Sequence, residues 1–358
     1  MPSLKEIKGR INSISSTLAI TSAMKMVAAA KLQKAQMAIQ NMLPYERRLY
    51  SMLLDLMGAM NISAAASEDG SVRGSGSAER GFDQSGDRLS LSNRHDLAGM
   101  DGAYSLMAQR EVRKVAIVAF ASNSSLCGAF NSNVIREATA VINEYRASGL
   151  RDSDIVVYSV GRKMAEAMRK LGFPSPADFT KMSDSPSYEA ASALAQELLD
   201  GFVSGRFDKV ELVYNHYKST SSQPTTRQTY LPLSLADATA DLQAGKIADS
   251  ASESDTNRGA EPVGAPVVRQ GSPTTEDLIV EPSKEALIAT LLPKVVRLRI
   301  FTTLLDSAAA EHAARTVAMQ LATDNGNDLL QELTLEYNKG RQQKITSEIL
   351  DLVGGSLQ

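Results

Sequence analysis

Ser124-Ser125-Leu126-Cys127-Gly128-Ala129-Phe130-Asn131 follows an apolar run and opens a helix-like one. Free backbone amides at such a helix N-terminus can hold an anion. One glycine is a weak phosphate signal, and the simpler reading is a tight strand-to-helix turn that needs Gly128. The chain has neither a GxxxxGK[ST] loop nor a GxGxxG turn. Cys127, the single cysteine, has no neighbouring His or Asp to activate it and reads as a buried thiol. Of the three histidines, His95 falls in a polar stretch, His216 on an expected strand and His312 on an expected helix. Glu311-His312 lacks the second histidine of a HExxH zinc site. No cofactor or metal is expected from these residues. Charge is more telling: Lys5, Lys8, Arg10, Lys25, Lys31, Lys34, Arg47 and Arg48 face only Glu6 and Glu46 in the first fifty residues. A basic helix of this kind is either a solvated face or the complement of an acidic protein surface, where it sets encounter and register.

The whole chain of 358 residues is nearly balanced, 38 basic against 41 acidic, so no global field draws it to nucleic acid or anionic lipid. Aromatics make up 5% with no Trp, which leaves few stacking platforms for bases, so no nucleic-acid partner is expected. No run approaches the ~20 apolar residues of a membrane span, so no direct membrane insertion is expected. The opening MPSLKEIKGRINSI lacks the apolar core of a signal peptide, which argues against export by that route.

The elements that position these residues follow from periodicity. Leu4, Ile7, Ile11, Ile14, Leu18, Thr21, Met24, Ala28, Leu32, Ala35 and Ile39 recur in three- and four-residue steps, one stripe of a long helix over 1–60. Its small-residue middle allows close approach of a partner helix. Pro44 predicts a kink or local disturbance. Residues 61–112 and 236–275 are rich in Gly, Ser and alternating charge with little to bury, the composition of disordered insertions. A short helix is allowed over 236–246. Between them, 113–235 alternates strand-like runs (115–121, 155–160, 210–217, 229–233) with helix-like ones (131–148, 162–171, 187–203), as in an open, mainly parallel, Rossmann-like α/β domain. Residues 276–358 form a second long helix, with Ser283 placed to cap its first turn and Pro293 expected to interrupt it. The predicted fold class is therefore α/β plus coiled coil: long N- and C-terminal helices paired as an antiparallel coiled coil around the central domain.

Several blocks, in order, carry a resemblance. SLKEIKGRINSISSTLAITSAMKMVAAAKLQKAQ (3–36), SNSSLCGAFNSNVI (122–135), VELVYNHYKS (210–219), EPSKEAL with LLP (281–293) and EHAARTVAMQLATDNGNDLLQELTLEYNKGRQQKITSEILDLVGG (311–355) resemble the gamma subunit of F-type ATP synthases. Departures are small: Ser356 stands where the family usually has Ala, and Ala310 and Thr316 differ from the Ser and Met of its SEHxxRM pattern. The second insertion lies near the regulatory dithiol segment of photosynthetic relatives but holds no cysteine, so thiol switching is excluded there.

The resemblance implies a non-catalytic central rotary shaft. Its helix pair would turn inside a ring of alternating alpha and beta subunits, and its α/β domain would contact the epsilon subunit and the c-subunit ring. Proton-driven rotation would cycle the catalytic beta subunits for ATP synthesis or hydrolysis. Lys25, Lys31 and Lys34 would meet acidic loops of beta subunits; Met24, Arg341, Gln342, Thr346 and Glu348 would face the ring or lock the coil. The nearly uncharged stretch 349–357 would serve as an apolar bearing. The match begins at Ser3, leaving no room for a transit peptide, so the implied place is peripheral, on the cytoplasmic face of a bacterial inner membrane. Two rival readings stand beside it: a free-standing coiled-coil scaffold, and an enzyme built on the α/β domain with Gly128 at its phosphate turn.

Overall fold

The computed structural model describes residues 3–59, 106–233 and 283–355. The expected insertions fall almost wholly outside them, as do His95 and the short helix at 236–246. Helix α1 (Leu4–Ala59) starts where the Ser3 hydroxyl accepts the Glu6 N–H at 3.2 Å, and Glu6 pairs with Arg10 one turn on. At 1.5 Å per residue it is about 84 Å long. Every residue of the predicted stripe from Leu4 to Ile39 is buried or half-buried, while most intervening positions are exposed.

The central domain is a four-stranded sheet of order β2-β1-β3-β4. Strands β1 (Val115–Phe120), β2 (Ile155–Val160) and β3 (Lys209–Asn215) are parallel, and β4 (Thr225–Leu231) runs antiparallel at the edge against β3. The parallel run β1 is buried at every position, as a strand covered on both faces must be. Helices α2 (Phe130–Ala147) and α3 (Arg162–Lys170) cover one face, over Val115, Ile117 and Ala119. The short α4 (Thr180–Asp184), α5 (Tyr188–Val203) and the last helix cover the other, over Ala116, Val118 and Phe120. Glu211 is buried within β3 and is matched there by Lys209 at 2.7 Å, Arg227 at 2.7 Å and the Tyr145 hydroxyl at 2.7 Å. These partners hold its carboxyl below the usual range despite burial.

Helix α6 (Lys284–Gly355), about 108 Å long by the same rise, is capped by Ser283, whose hydroxyl accepts the Ala286 N–H at 3.1 Å. Contrary to expectation, Pro293 does not interrupt it. Helix α1 also runs on through Pro44. A proline inside a helix costs about 3 kcal/mol. Burial of Leu292, Val295 and Val296 on either side of Pro293 offsets that locally. The fourth strand spans Thr225–Leu231 rather than 229–233: TTRQTYL is polar over most of its length because it is an edge strand, so its apolar signal begins late. His216 lies one residue past the end of β3, not on it. At the end of the domain Leu233 N–H donates to Leu106 O at 2.9 Å, and Leu53 and Leu56 join the same core as Ile288 and Leu292.

Candidate functional site

The two long helices pack antiparallel along a seam of small residues. Tyr50 Oη accepts a hydrogen bond from buried Arg299 at 2.8 Å, Leu32 lies against Ala309 and Ala313, and Thr21 Oγ1 is 3.1 Å from Thr323 Oγ1. Farther along, Leu18 fills the space over Gly326, where an added Cβ would come within 2.7 Å of it. Leu4 covers Gly340 in the same way at 3.1 Å. On α6 the half-buried residues Thr323, Gly326, Leu330, Leu333, Tyr337 and Gly340 recur at three- and four-residue steps, the mirror of the α1 stripe.

Past Gly340, α6 outruns the start of α1. Every described side chain from Arg341 to Val353 is exposed, among them Ile345, Ile349, Leu350 and Leu352, the last at 74%. Arg341, Gln342, Thr346 and Glu348 all lie on this stretch. Thr346 donates to Gln342 O at 2.9 Å, and Glu348 sits 3.8 Å from Lys344, an exposed pair of small energetic weight. On α1, Lys31 and Lys34 are exposed, whereas Met24 and Lys25 are half-buried along the seam. The predicted site residues thus form two groups, a basic flank on α1 and an exposed tip on α6.

Lys31 faces a buried polar cluster on α6. Glu311 is held by Arg315 at 2.6 Å, and Arg315 also donates to Ser124 Oγ at 2.7 Å. Burial pushes the Glu311 carboxyl up, against the pull of Arg315 and Lys31. His312 beside it is pushed down to about 4, chiefly by burial and then by Arg315 and Lys31, and its Nδ1 has no partner. His312 is therefore neutral near pH 7 and packs rather than ligates.

In an open α/β sheet, ligands bind beyond the carboxyl ends of the strands where the strand order reverses, here between β1 and β3. Helix α6 runs across the strand ends: just past β3, Asp306 takes the Tyr217 N–H, and at the ends of β1 and β2 four of its residues close over the sheet. Leu304, Ser307, Ala308 and Glu311 close over Phe120, Ala121 and Val160, leaving a cavity of ≈ 10 Å³, the room of one water. The turn after β1 is a tight one: Gly128 sits at φ +58°, the left-handed region glycine tolerates best, and exposed Leu126 at φ +69°. Cys127 is buried within 3.2 Å of Asn131 Nδ2. Asn131 turns back on Ser122 instead of capping the helix for a ligand.

Sequence reasoning missed Asp306, Tyr217 and Gln36. Asp306 takes the Tyr217 N–H on Oδ1 at 2.8 Å and His216 Nδ1 on Oδ2 at 2.6 Å. Gln36 Nε2 donates to the Tyr217 hydroxyl at 2.6 Å. A signal existed: Asp306 is a lone acid in the apolar run IFTTLLDSAAA, and a lone buried acid needs a partner.

The protein-family model described as ATP synthase matches residues 3–357. The ATP synthase gamma chain of Phocaeicola vulgatus is 46% identical over 357 residues, covering 100% of both chains. That of Bacteroides thetaiotaomicron is 44% identical, again over 100% of each. In fold the chain is similar to one in the Euglena gracilis mitochondrial ATP synthase structure of OSCP, F1 and c-ring in rotational state 3, with TM-score 0.51 at 18% identity over 98% of this chain and 92% of that one. A match that runs nearly end to end, on a chain built as a paired-helix rod with an α/β domain at its side, places this protein in the ATP synthase gamma chain family.

Proposed function

We infer that this chain is the central rotary shaft of an ATP synthase, coupling rotor rotation to conformational cycling of the catalytic beta subunits. The observation that carries the reading is the α6 tip: a long helix leaves its partner at Gly340 and continues as a bare, apolar end. Apolar residues exposed in such number need a partner. The helix pair reads as a left-handed coiled coil, since its stripes alternate three- and four-residue steps, and pairing gives a rod its stiffness. The tip, with Arg341, Gln342, Thr346 and Glu348, runs in the ring of alpha and beta subunits, where these four face the ring rather than α1. Lys25, Lys31 and Lys34 meet acidic beta-subunit loops, with Met24 beside them at the seam. The α/β domain stands outside the ring and engages the c-subunit ring and the epsilon subunit. A shaft acts by contacting the catalytic sites differently at each angle, since only differential contact shifts an equilibrium.

The chain itself performs no bond chemistry in this reading. Support comes from α6, which fills the strand-end crevice a nucleotide-binding sheet would keep open. The domain organisation we propose is 1–60 and 276–358 as coil, 113–235 as α/β domain, and 61–112 and 236–275 as insertions. No described helix is long and apolar enough to cross a membrane. We place the chain peripherally on the cytoplasmic face of a bacterial inner membrane, held through the complex whose ion transport it couples.

Two measurements test this. Native mass of a tagged copy purified from its own cells should show one such chain with a ring of two larger alternating subunits; a lone homo-oligomer would overturn the shaft. Reversing Lys25, Lys31 and Lys34 to Glu should weaken assembly or coupling while circular dichroism stays helical. Unchanged ATP-driven pumping in that triple variant would remove the role given to the lysines.

A further inference from the structure

The α/β domain must move with the helix pair if torque applied to one is to reach the other. Most of their contact is apolar: the sheet face and α5 lie on Leu298, Ile300 and Leu304 of α6. Such contact is strong but non-directional, and fixes position less sharply than hydrogen bonds do. Hydrogen bonds from Tyr230 to Val296 O, from Arg297 to Gln196 and from Arg315 to Ser124 tie the domain to α6, while those at Tyr217 reach α6 and α1 together. Tyr217 leaves the end of β3, the strand beside the centre of the sheet. Its N–H donates to Asp306 of α6, and its hydroxyl accepts from Gln36 of α1. Its ring packs against two apolar clusters, one of Leu32, Ala309 and Ala313 between the helices and one of Cys127, Phe130 and Ala310 that joins the turn after β1 to α6. His216 adds a second bond to the same Asp306 carboxylate. One side chain thus touches the domain and both helices at once.

We propose that Tyr217, held by Asp306 on α6 and Gln36 on α1, is the key that locks rotation of the α/β domain to both helices together. Asp306 and Gln36 are positioning residues, acting through Tyr217. This rests on the shaft reading and adds to it the place where torque crosses from domain to coil. Without the key, the domain keeps its apolar seat but can yield against α1 under load. Rotation at one end then reaches the other incompletely.

The test uses the assembled membrane complex. ATP hydrolysis is measured alongside pumping, read with a voltage-sensitive dye in membrane vesicles. Tyr217→Ala, which loses the ring and the bond to Gln36, and Asp306→Ala, which loses the bonds to the Tyr217 N–H and to His216, should retain most hydrolysis per complex while pumping per ATP falls at least about fivefold, the factor for about 1 kcal/mol. Tyr217→Phe, which keeps the ring and loses only the bond to Gln36, should fall less. Asp306→Asn, which keeps an acceptor for the Tyr217 N–H, should restore most of the Asp306→Ala loss. A merely structural role would lower complex yield and leave pumping per ATP unchanged in whatever assembles; that result overturns the proposal. Should the alanine variants fail to assemble, Tyr217→Phe and Gln36→Ala decide it, and normal coupling in both overturns it. If the unaltered chain itself purifies without a ring, the shaft reading fails, which separates the two.

Discussion

Residues 288–319 and 341–353 belong to one helix, yet the first stretch is buried and the second is bare. In the first, Ile288, Val295, Ile300 and Leu304 are covered by the sheet, α5 and α1, and even charged Arg299 and Glu311 are enclosed with partners. In the second, Ile345, Ile349, Leu350 and Leu352 are as apolar and stand in solvent. Hydrophobicity alone therefore does not say what a segment packs on. The difference lies in whether the same chain supplies the cover. Where it does, the helix contributes to folding; where it does not, the apolar side chains are kept for a surface outside the chain.

Substitutions can break or sharpen that contrast. Leu304→Ala in the covered stretch should cost about 2–5 kcal/mol in denaturant unfolding, through lost burial and the cavity left behind. Gly326→Val on the seam should cost about 1–3 kcal/mol, because the added side chain meets Leu18 in a tightly packed place. Leu350→Ser with Leu352→Ser at the tip should change unfolding by under about 0.5 kcal/mol, as exposed sites do. The same pair should lower recovery of the chain in its complex; equal recovery would leave the bare tip without a function.

The smallest effects are those of pH, and they have opposite signs at two histidines. Hydrogen bonding to Asp306 raises His216 above the ordinary value of about 6.5, with burial and nearby Lys218 opposing. Its stabilisation is full below that value and fades as pH rises through the raised one. The stability difference between the native chain and His216→Gln should therefore shrink above neutral pH. His312, depressed to about 4, does the reverse. The native chain loses stability as pH falls from about 6.5 toward 4, and His312→Gln should flatten that loss in acid titrations followed by circular dichroism.

The sequence made some of this legible and hid the rest for physical reasons. The α1 stripe was readable to the residue because a helix seam repeats with a fixed period, and β1 because a strand covered on both faces stays apolar throughout; β2 is nearly so. The continuity of α6 through Pro293 was not readable, since tertiary burial outweighed a local rule. Edge strand β4 was shifted by its polar start. Among the candidate residues, the three lysines were proposed from the excess of basic charge on α1, and Met24 and the tip residues from their positions in the family blocks. The Tyr217–Asp306–Gln36 meeting could not, because it joins positions far apart in sequence that only the docked domain brings together.

The most direct test of the account is to watch the chain turn. With the ring fixed to a surface and a fluorophore attached to an exposed residue of the α/β domain, addition of ATP should drive stepwise, one-way rotation of the domain relative to the ring. A ring that hydrolyses ATP while the domain stays still, with this chain seated in it, would contradict the shaft.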